Sequence, residues 1–309
     1  MTSPPPIGAG SSAYHPELRR IARFLPRRIV SQRSRPLVKR VMALGARRRS
    51  DDVVVARVGD ASVRLFRPSG GSAPYPAVLW IHGGGFVVGN AAQDDDHCRR
   101  LATELGAVVI SVDYRLAPEH PFPAPLDDCW AALQWLAARD DVDASRIALA
   151  GMSAGGGLAA GLALRARDDG SITPAALLLV YPMLDDRTAA DSDYDRREVR
   201  VWDNKANRYG WTSYLGRAPG GEGVPAQAAP ARAEDLSWLP PTWIGVGSLD
   251  LFHDEDAAFA ARLEDAGVAV THVVVEGAYH GFELTAPKAT VTTTFEAAKT
   301  DWLRQHLGA

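Results

Sequence analysis

The periodicity of apolar and polar positions changes at about residue 50, from a helical pattern before it to a pattern of strands and helices after it. Residues 53–68 contain two short runs in which apolar and polar side chains alternate, a pattern typical of a β-hairpin. Further along, apolar runs rich in β-branched residues alternate with segments of helical periodicity, which predicts an α/β fold with a mostly parallel sheet covered on both faces. The predicted strands are 77–82, 107–114, 146–151, 175–182, 242–248 and 271–277, and the predicted helices are near 95–105, 124–139, 154–167, 254–266 and 287–307.

The first 50 residues show helical rather than alternating periodicity. After a Pro-, Gly- and Ser-rich stretch, residues 14–50 contain two short amphipathic helices with many arginines. Because the arginines recur at helical intervals rather than in one block, we interpret them as a solvated face, not as a nucleic-acid or membrane patch. The apolar stripes are expected to cover a core, and they consist of Leu18, Ile21, Phe24, Leu25, Leu37, Val41 and Leu44.

One connection in the alternating part is far longer than the others. Residues 183–241 separate two predicted strands, and they include several tryptophans and tyrosines as well as a Gly-, Pro- and Ala-rich stretch. A structureless loop of this length is uncommon in a compact domain. We therefore predict an inserted lid that contains one or two helices.

The composition is that of an ordinary globular protein. Of the 309 residues, 46% are hydrophobic and 23% charged, and the formal charge of −3 predicts no strong attraction to nucleic acid. No apolar run approaches the ~20 residues that span a bilayer, so we expect no stable membrane association, and the N-terminus lacks the apolar core of a secretory signal. Cys98 and Cys129 fit no metal-binding spacing, which predicts buried free thiols, no bound metal and a cytoplasmic location.

The pentapeptide Gly151-Met152-Ser153-Ala154-Gly155 lies between a predicted strand and a predicted helix. In that context a G-x-S-x-G motif holds a serine side chain on a sharp turn at the carboxyl edge of the sheet, where the first amides of the helix favour negative charge. The motif alone is common, and a serine that only caps a helix would also match it. Its context makes Ser153 the candidate nucleophile.

Three consecutive glycines, Gly83, Gly84 and Gly85, follow a predicted strand that ends at His82. Their N–H groups can point at the oxyanion that forms when a nucleophile attacks an ester carbonyl. We therefore predict an oxyanion hole made of two of these three amides and the amide of Ala154, and a structural role for His82. A phosphate-binding loop is the competing interpretation, but the G-x-G-x-x-G spacing and the P-loop lysine are missing.

His280 is the downstream histidine best placed to serve as the base that a serine nucleophile needs. It follows the predicted strand 271–277 in a glycine-flanked loop, and so lies at the same edge of the sheet as Ser153. The other downstream histidines lie beside a candidate acid, at the start of a strand and in the last helix; they are His253, His272 and His306.

The carboxylate that orients the base is predicted at Asp250, at the carboxyl end of the strand 242–248. Asp254 and Glu255 remain alternatives, although a favourable interaction with the helix dipole also explains acids in the first turn of a helix. With Asp250, the chain has the order serine, acid and histidine that this architecture requires.

The proline-rich segment 113–124 contains three polar residues that invite a catalytic interpretation, Arg115, Glu119 and His120. We interpret them as structural, because a Pro-rich loop beside the nucleophile turn needs charged and hydrogen-bonded contacts to hold it.

Together the motifs resemble those of the bacterial hormone-sensitive-lipase-like (family IV) esterases of the α/β-hydrolase superfamily, and most closely their GTSAGG-type subgroup. Two positions depart from the family pattern. Met152 stands where many members have an acidic residue or threonine, and Leu251 follows Asp250 where proline is common. The segments that carry the resemblance are HGGGF (82–86), DYRLAPEHPFPA (113–124), GMSAGGG (151–157), YPMLDDR (181–187), LPPTWIGVGSLDLFHDED (239–256) and HGF (280–282).

The resemblance implies an α/β-hydrolase fold with an eight-stranded sheet and a helical cap. The cap would comprise residues 1–50 and the insertion 183–241, and the catalytic domain would comprise residues 51–309. It also implies hydrolysis of short- to medium-chain carboxylic esters without a cofactor.

We therefore predict a serine carboxylesterase that acts on a small-molecule ester through Ser153, His280 and Asp250. An amidase or deacetylase with the same triad and a non-catalytic ligand receptor on a hydrolase scaffold remain the alternatives. Because the strand 271–277 would lie at the edge of the sheet, we also predict a homodimer. The residues predicted to line the substrate pocket are Phe86, Trp202, Trp211 and Phe282.

Overall fold

An eight-stranded sheet forms the centre of the protein in a computed structural model that describes residues 13–45, 53–197 and 199–309. The strands are β1 Val54–Val58, β2 Ala61–Phe66, β3 Tyr75–Ile81, β4 Val108–Asp113, β5 Val142–Met152, β6 Ala176–Val180, β7 Thr242–Gly247 and β8 Val270–Val275. Their spatial order is β1-β2-β4-β3-β5-β6-β7-β8. The hairpin β1–β2 joins β4 in antiparallel fashion, and all pairs from β4 to β8 are parallel, which confirms the predicted sheet.

Helices cover both faces of the sheet. Successive residues of a strand point to opposite faces, so Leu79 of β3 contributes to one core and Trp80 to the other. The helices are α1 Arg19–Ala22, α2 Arg35–Gly45, α3 Asp95–Leu105, α4 Ala124–Ala137, α5 Ala154–Asp169, α6 Asp186–Ala190, α7 Asn204–Leu215, α8 His253–Asp265, α9 Phe282–Thr285 and α10 Thr290–Leu307. Helices α4, α5 and α8 pack on the face of Leu79, and α3 and α10 pack on the face of Trp80. The five helices predicted after residue 53 are therefore present, within a few residues at each end.

The N-terminal segment differs from the prediction in both length and orientation. The first predicted helix is reduced to the four residues of α1, and Phe24 lies outside it with 84% of its surface exposed. Helix α2 exposes the apolar stripe that was expected to cover the core, formed by Leu37, Val41 and Leu44.

The orientation of α2 follows from its first residue. The buried guanidinium of Arg35 donates hydrogen bonds to the carbonyl oxygens of Val87 (2.8 Å) and Ala117 (3.1 Å), and pairs with Glu119. These contacts turn the side of α2 that carries Val38 and Met42 toward the core. The stripe through Leu37 therefore points outward.

The long connection between β6 and β7 contains α6 and α7, as predicted, and it contacts the N-terminal segment. The amide of Val201 donates to the carbonyl oxygen of Pro26 (2.9 Å), and the amide of Ile29 donates to the carbonyl oxygen of Val201 (3.1 Å). Arg28 lies 4.0 Å from Asp203, just before α7. None of the helices described by the structure is long and apolar enough to cross a membrane.

Candidate active site

Ser153 occupies a strained turn between β5 and α5. Its backbone has φ +55° and ψ −123°, a positive-φ conformation that is costly for a residue with a side chain and is common at functional sites. Three backbone hydrogen bonds hold it there. The Ser153 amide donates to the carbonyl oxygen of Val180 (2.9 Å), and the Ser153 carbonyl oxygen accepts from the amides of Gly157 (3.1 Å) and Met183 (3.0 Å).

The glycines on either side of Ser153 let strand and helix approach closely. A Cβ at Gly155 would lie 2.1 Å from the carbonyl oxygen of Ile81, and a Cβ at Gly151 would lie 2.3 Å from the carbonyl oxygen of Gly155. Neither position can hold a side chain without moving backbone. The two glycines of the motif are therefore required by the packing around the serine.

The structure brings Ser153, His280 and Asp250 together at the carboxyl edge of the sheet. The Nε2 atom of His280 lies 3.1 Å from Ser153 Oγ, and the Nδ1 atom lies 2.8 Å from Asp250 Oδ2. All three side chains are buried. Because a carboxylate accepts the Nδ1 proton, Nε2 of the neutral imidazole is free to accept the serine hydroxyl proton.

The acid and the imidazole are each held by further contacts. The amide of Phe252 donates to Asp250 Oδ1 at 3.0 Å. The His280 ring packs between two aromatic rings, with centroid distances of 4.5 Å to Tyr181 and 5.3 Å to Phe252. Sequence reasoning assigned no role to these two residues, although each lies inside a segment that carries the family resemblance, Tyr181 directly after β6 and Phe252 two residues after Asp250.

The two alternative acids point away from His280. Asp254 accepts a hydrogen bond from His253 Nδ1 (2.8 Å), which lowers the pKa of Asp254 to about 2, and it also pairs with Arg197. Glu255 accepts from the amide of Leu184 at 2.9 Å, and burial raises the pKa of Glu255 to about 8. Both acids therefore connect α8 to the segment after β6.

The other downstream histidines are also engaged elsewhere. In α10, Nδ1 of His306 donates to the carbonyl oxygen of Trp302 (2.8 Å), and the imidazole of His306 stacks on the indole ring of Trp302. His272 lies half-buried in β8, where burial lowers its pKa.

The glycine loop after β3 lies against the nucleophile turn. A Cβ at Gly83 would be 3.3 Å from Ser153 Cβ, and Ala154 is the first residue of α5. Within the described residues, the amides of these two residues and of Gly84 and Gly85 donate to no acceptor. Unpaired amides beside a serine hydroxyl can receive a negatively charged oxygen.

His82 supports this loop. Its Nδ1 donates to the carbonyl oxygen of Gly83 at 2.8 Å, its ring stacks on Tyr114 at 4.3 Å, and its own carbonyl oxygen accepts from the Tyr114 hydroxyl at 3.0 Å. Burial lowers the pKa of His82, which keeps the imidazole neutral. These contacts agree with the predicted structural role.

The proline-rich segment is held by ion pairs, as its interpretation required. Arg115 donates hydrogen bonds to Asp128 from Nε and Nη2, and its third side-chain nitrogen, Nη1, pairs with Asp60. Glu119 pairs with Arg35, which lowers the pKa of Glu119 to about 2. The structure gives His120 no ion pair or hydrogen bond from its side chain to a described residue.

Three of the four predicted pocket residues come together above the glycine loop. The Trp202 ring occupies the space where a Cβ of Gly85 would lie, and the Phe86 ring centroid is 5.4 Å from that of Trp211. Phe86 also stacks on Tyr214 of α7 at 4.0 Å.

The prediction that Phe282 lines the substrate pocket is wrong. Gly281 adopts φ +70° and turns the chain toward α10, so Phe282 packs against Phe295 at 5.2 Å in the core on the opposite face of the sheet. It does not join the aromatic residues around Trp202.

Met152 is the last residue of β5 and lies buried beside the glycine loop. Its side chain points into the core on the α3 and α10 face, and its Cγ would be 3.3 Å from a Cβ at Gly83. Among the described residues, no group of three or more His, Cys, Asp or Glu is arranged to hold a metal ion.

Comparisons with known proteins agree with this geometry. A family model for the alpha/beta hydrolase fold matches residues 78–284. Esterase LipI of Mycobacterium tuberculosis is 40% identical over 228 residues, which cover 72% of this chain and 71% of that protein. Carboxylesterase NlhH of the same organism is 38% identical over 246 residues, 76% of each chain.

A solved structure, Bacterial Heroin Esterase, superposes with a TM-score of 0.87 at 37% identity and covers 96% of this chain and 98% of its own. The chain therefore belongs to the α/β-hydrolase fold family, and its resemblance to the hormone-sensitive-lipase-like esterases is confirmed.

Proposed function

We propose that this protein is a serine carboxylesterase that hydrolyses short- to medium-chain carboxylic esters. The observation that carries the proposal is the chain of two hydrogen bonds, 3.1 Å from Ser153 Oγ to His280 Nε2 and 2.8 Å from His280 Nδ1 to Asp250 Oδ2. The names of the relatives, esterase and carboxylesterase, support the same reaction.

In the first half of the reaction, Ser153 Oγ attacks the ester carbonyl carbon and its proton moves to His280 Nε2. The carbonyl oxygen becomes an oxyanion, which the amides of Ala154 and of two of Gly83, Gly84 and Gly85 stabilise. The tetrahedral intermediate then collapses, the carbon–oxygen bond to the alcohol breaks, and Nε2 gives its proton to the departing alkoxide. The alcohol leaves and the acyl group remains on Ser153.

In the second half, water attacks the acyl-enzyme while Nε2 takes one of its protons. Collapse of the second tetrahedral intermediate returns that proton to Ser153 Oγ and releases the carboxylic acid. Asp250 stays ionised throughout and stabilises the imidazolium of each step. The cycle consumes one ester and one water and needs no cofactor.

Replacement of the nucleophile is the direct test of this assignment. Ser153→Ala should lower kcat on a p-nitrophenyl ester by at least about 10⁴-fold, because the step that forms the acyl-enzyme is lost. Turnover near that of the unmodified protein would overturn the assignment. A matched pair of ester and anilide substrates, measured on the unmodified protein, tests the ester preference against an amidase.

The domain organisation belongs to the same proposal. Residues 1–50 and 183–241 together would form the cap over a catalytic domain within 51–309, and the backbone hydrogen bonds of Val201 with Pro26 and Ile29 support a joint cap. Phe86, Trp202 and Trp211 would line the substrate pocket, since Trp202 covers Gly85 of the proposed oxyanion hole.

We further propose a homodimer and a cytoplasmic location. Strand β8 is at the edge of the sheet, and the partly exposed Val274 leaves an apolar edge that a second copy could extend. Cys98 and Cys129 are buried free thiols, which suits a reducing compartment. A monomeric mass in light scattering at micromolar concentration would overturn the dimer.

A further inference from the structure

Charge is distributed unevenly along this chain. Residues 13–45 contain nine of the 34 lysines and arginines but only one of the 37 aspartates and glutamates. The segment therefore carries +8, and the rest of the chain must carry −11 to give the total of −3. Arg20, Arg23, Arg33 and Arg40 are exposed and form no ion pair with any residue that the structure describes.

The same segment exposes large apolar side chains. Leu37, Val41 and Leu44 are 67%, 60% and 55% exposed, and their spacing along α2 places them on one side of the helix. We call these three residues the outer face of α2. Arg40 lies one turn before Leu44 and borders this face, and Phe24, at 84% exposure, is a further apolar side chain of the segment.

The exposure of the outer face is built into the fold. The buried Arg35 ties the start of α2 to the loop carbonyl oxygens of Val87 and Ala117 and to Glu119. Val38 and Met42 pack on the core from the other side of the helix. The helix therefore cannot turn its outer face inward without breaking a buried charged contact.

The exposed apolar stripe changes the interpretation of the arginines as a merely solvated face, and we propose that the outer face of α2 docks reversibly on the surface of an anionic lipid bilayer. A short helix with apolar side chains on one face and arginines beside them lies in the headgroup region, where the apolar groups reach the acyl chains and the guanidinium groups meet lipid phosphates. Unpaired arginines near the surface add electrostatic attraction to anionic lipid. The association is peripheral, and it does not depend on the proposed esterase reaction.

Two other occupants fit the observations less well. A second copy of the chain would offer its acidic remainder to the arginines, but a stable protein–protein interface uses roughly 20–30 residues on each side, far more than the three apolar side chains of the outer face supply. A nucleic acid would also attract the arginines, but its phosphates offer nothing to three exposed aliphatic side chains. An anionic lipid surface is the partner that can contact both the arginines and the apolar side chains of the outer face.

Co-sedimentation of the full chain with vesicles tests the proposal. The protein should sediment with vesicles of phosphatidylcholine and phosphatidylglycerol, much less with phosphatidylcholine alone, and less with both as NaCl screens the charges. Leu37→Ser, Val41→Ser and Leu44→Ser, combined in one variant, should weaken binding by at least about tenfold, because the inserted apolar groups are lost. Arg33→Gln with Arg40→Gln should reduce the preference for the anionic vesicles.

A matched control changes three equally exposed apolar residues elsewhere. Val54, Val55 and Leu284 are 54%, 58% and 63% exposed, and their combined change to serine should leave vesicle binding intact. Melting temperature and activity on a soluble ester should be the same in both triple variants, which separates lost docking from unfolding and from a failure of the esterase proposal. Equal binding to neutral vesicles, or full binding by the α2 variant, would overturn the proposal.

Two further results would assign the face to another partner and so overturn it. One is a dimer in the unmodified protein that is lost in the α2 variant, as measured by light scattering, while the unmodified protein remains in the supernatant when vesicles are sedimented. The other is binding to a DNA duplex that depends on the outer face in the absence of vesicle binding.

Discussion

The end of β7 and the first turn of α8 each bury a carboxyl group, Asp250 in one region and Glu255 in the other, yet the two have different partners. Asp250 faces the imidazole of His280 at 2.8 Å. Glu255 instead accepts hydrogen bonds from the backbone amides of Leu184 and Asp185 and from the hydroxyl of Thr188. The first group can stabilise a positive charge that forms during a reaction, and the second has no such partner.

Burial and hydrogen bonding change the pKa of Glu255 in opposite directions. Thr188 Oγ1 lies 2.9 Å from the carbonyl oxygen of Asp185 and 2.6 Å from Glu255 Oε2, but the hydroxyl has one proton to donate. When the hydroxyl donates that proton to Glu255, it favours the ionised carboxylate and lowers the pKa of Glu255, as does the amide of Leu184. Burial is the larger effect: it raises the pKa of Glu255 to about 8 and so favours the neutral form at pH 7. Burial alone therefore does not make a carboxyl group catalytic, because a carboxyl group without a histidine beside it has no imidazole to orient.

The largest expected difference between the two regions is in turnover. Asp250→Asn should lower kcat by about 10⁴-fold, because an amide nitrogen facing Nδ1 favours the wrong imidazole tautomer. Glu255→Gln should leave kcat within about threefold, since an amide keeps an oxygen acceptor for the Leu184 amide and position 255 makes no hydrogen bond to His280. Equal losses of kcat in the two variants, measured with a p-nitrophenyl ester, would contradict the proposal that Asp250 acts in catalysis and Glu255 does not.

A smaller effect is expected on stability as pH changes. In the unfolded chain Glu255 ionises near its ordinary pKa of 4.5, whereas in the folded protein it keeps its proton up to about 8. The unfolded state therefore binds fewer protons in this window, and the free energy of unfolding should fall as pH rises from about 4.5 to 8. Buried Asp256, whose pKa burial also raises, contributes in the same direction.

Glu255→Gln isolates the contribution of Glu255. Denaturant unfolding at both ends of the window should give a smaller fall in the free energy of unfolding for this variant than for the unmodified protein. The remaining slope would belong to Asp256 and other groups. An unchanged slope would contradict the neutral form of Glu255.

The smallest effect is expected at the third candidate acid, Asp254. Its contacts with His253 and Arg197 are partly exposed, and such ion pairs contribute only about 0–1 kcal/mol. Asp254→Asn should therefore lower the melting temperature slightly and leave kcat unchanged. A kcat loss comparable to that of Asp250→Asn would show that the acid had been assigned to the wrong residue.

The sequence was most informative where the backbone itself determines position. Ser153, Asp250 and His280 could be predicted because each follows a recognisable strand, and the ends of parallel strands meet at one edge of the sheet. The positions of Gly83 and Ala154 beside Ser153 could be predicted for the same reason. The choice of Asp250 over Glu255 also rested on this rule, since Asp250 lies at the strand end and Glu255 lies inside the helix.

Side-chain direction was harder to predict where a segment has more than one apolar face. Helix α2 offers two apolar arcs, one with Leu37 and Val41 and one with Val38 and Met42, and periodicity alone does not say which is buried. The contact of Arg35 with Glu119, 84 residues away along the chain, decides it. The side-chain direction of Phe282 was also predicted wrongly, because it depends on the turn at the preceding residue, Gly281.

Covalent labelling by a fluorophosphonate is the most direct test of the central claim, that Ser153 is an activated nucleophile. Intact-mass and peptide mass spectrometry should find one adduct, on Ser153, in the unmodified protein and none on Ser153→Ala. The His280→Ala variant should react far more slowly, because the hydroxyl then lacks its base. No adduct on the unmodified protein, or an adduct on another residue that persists in Ser153→Ala, would contradict the account.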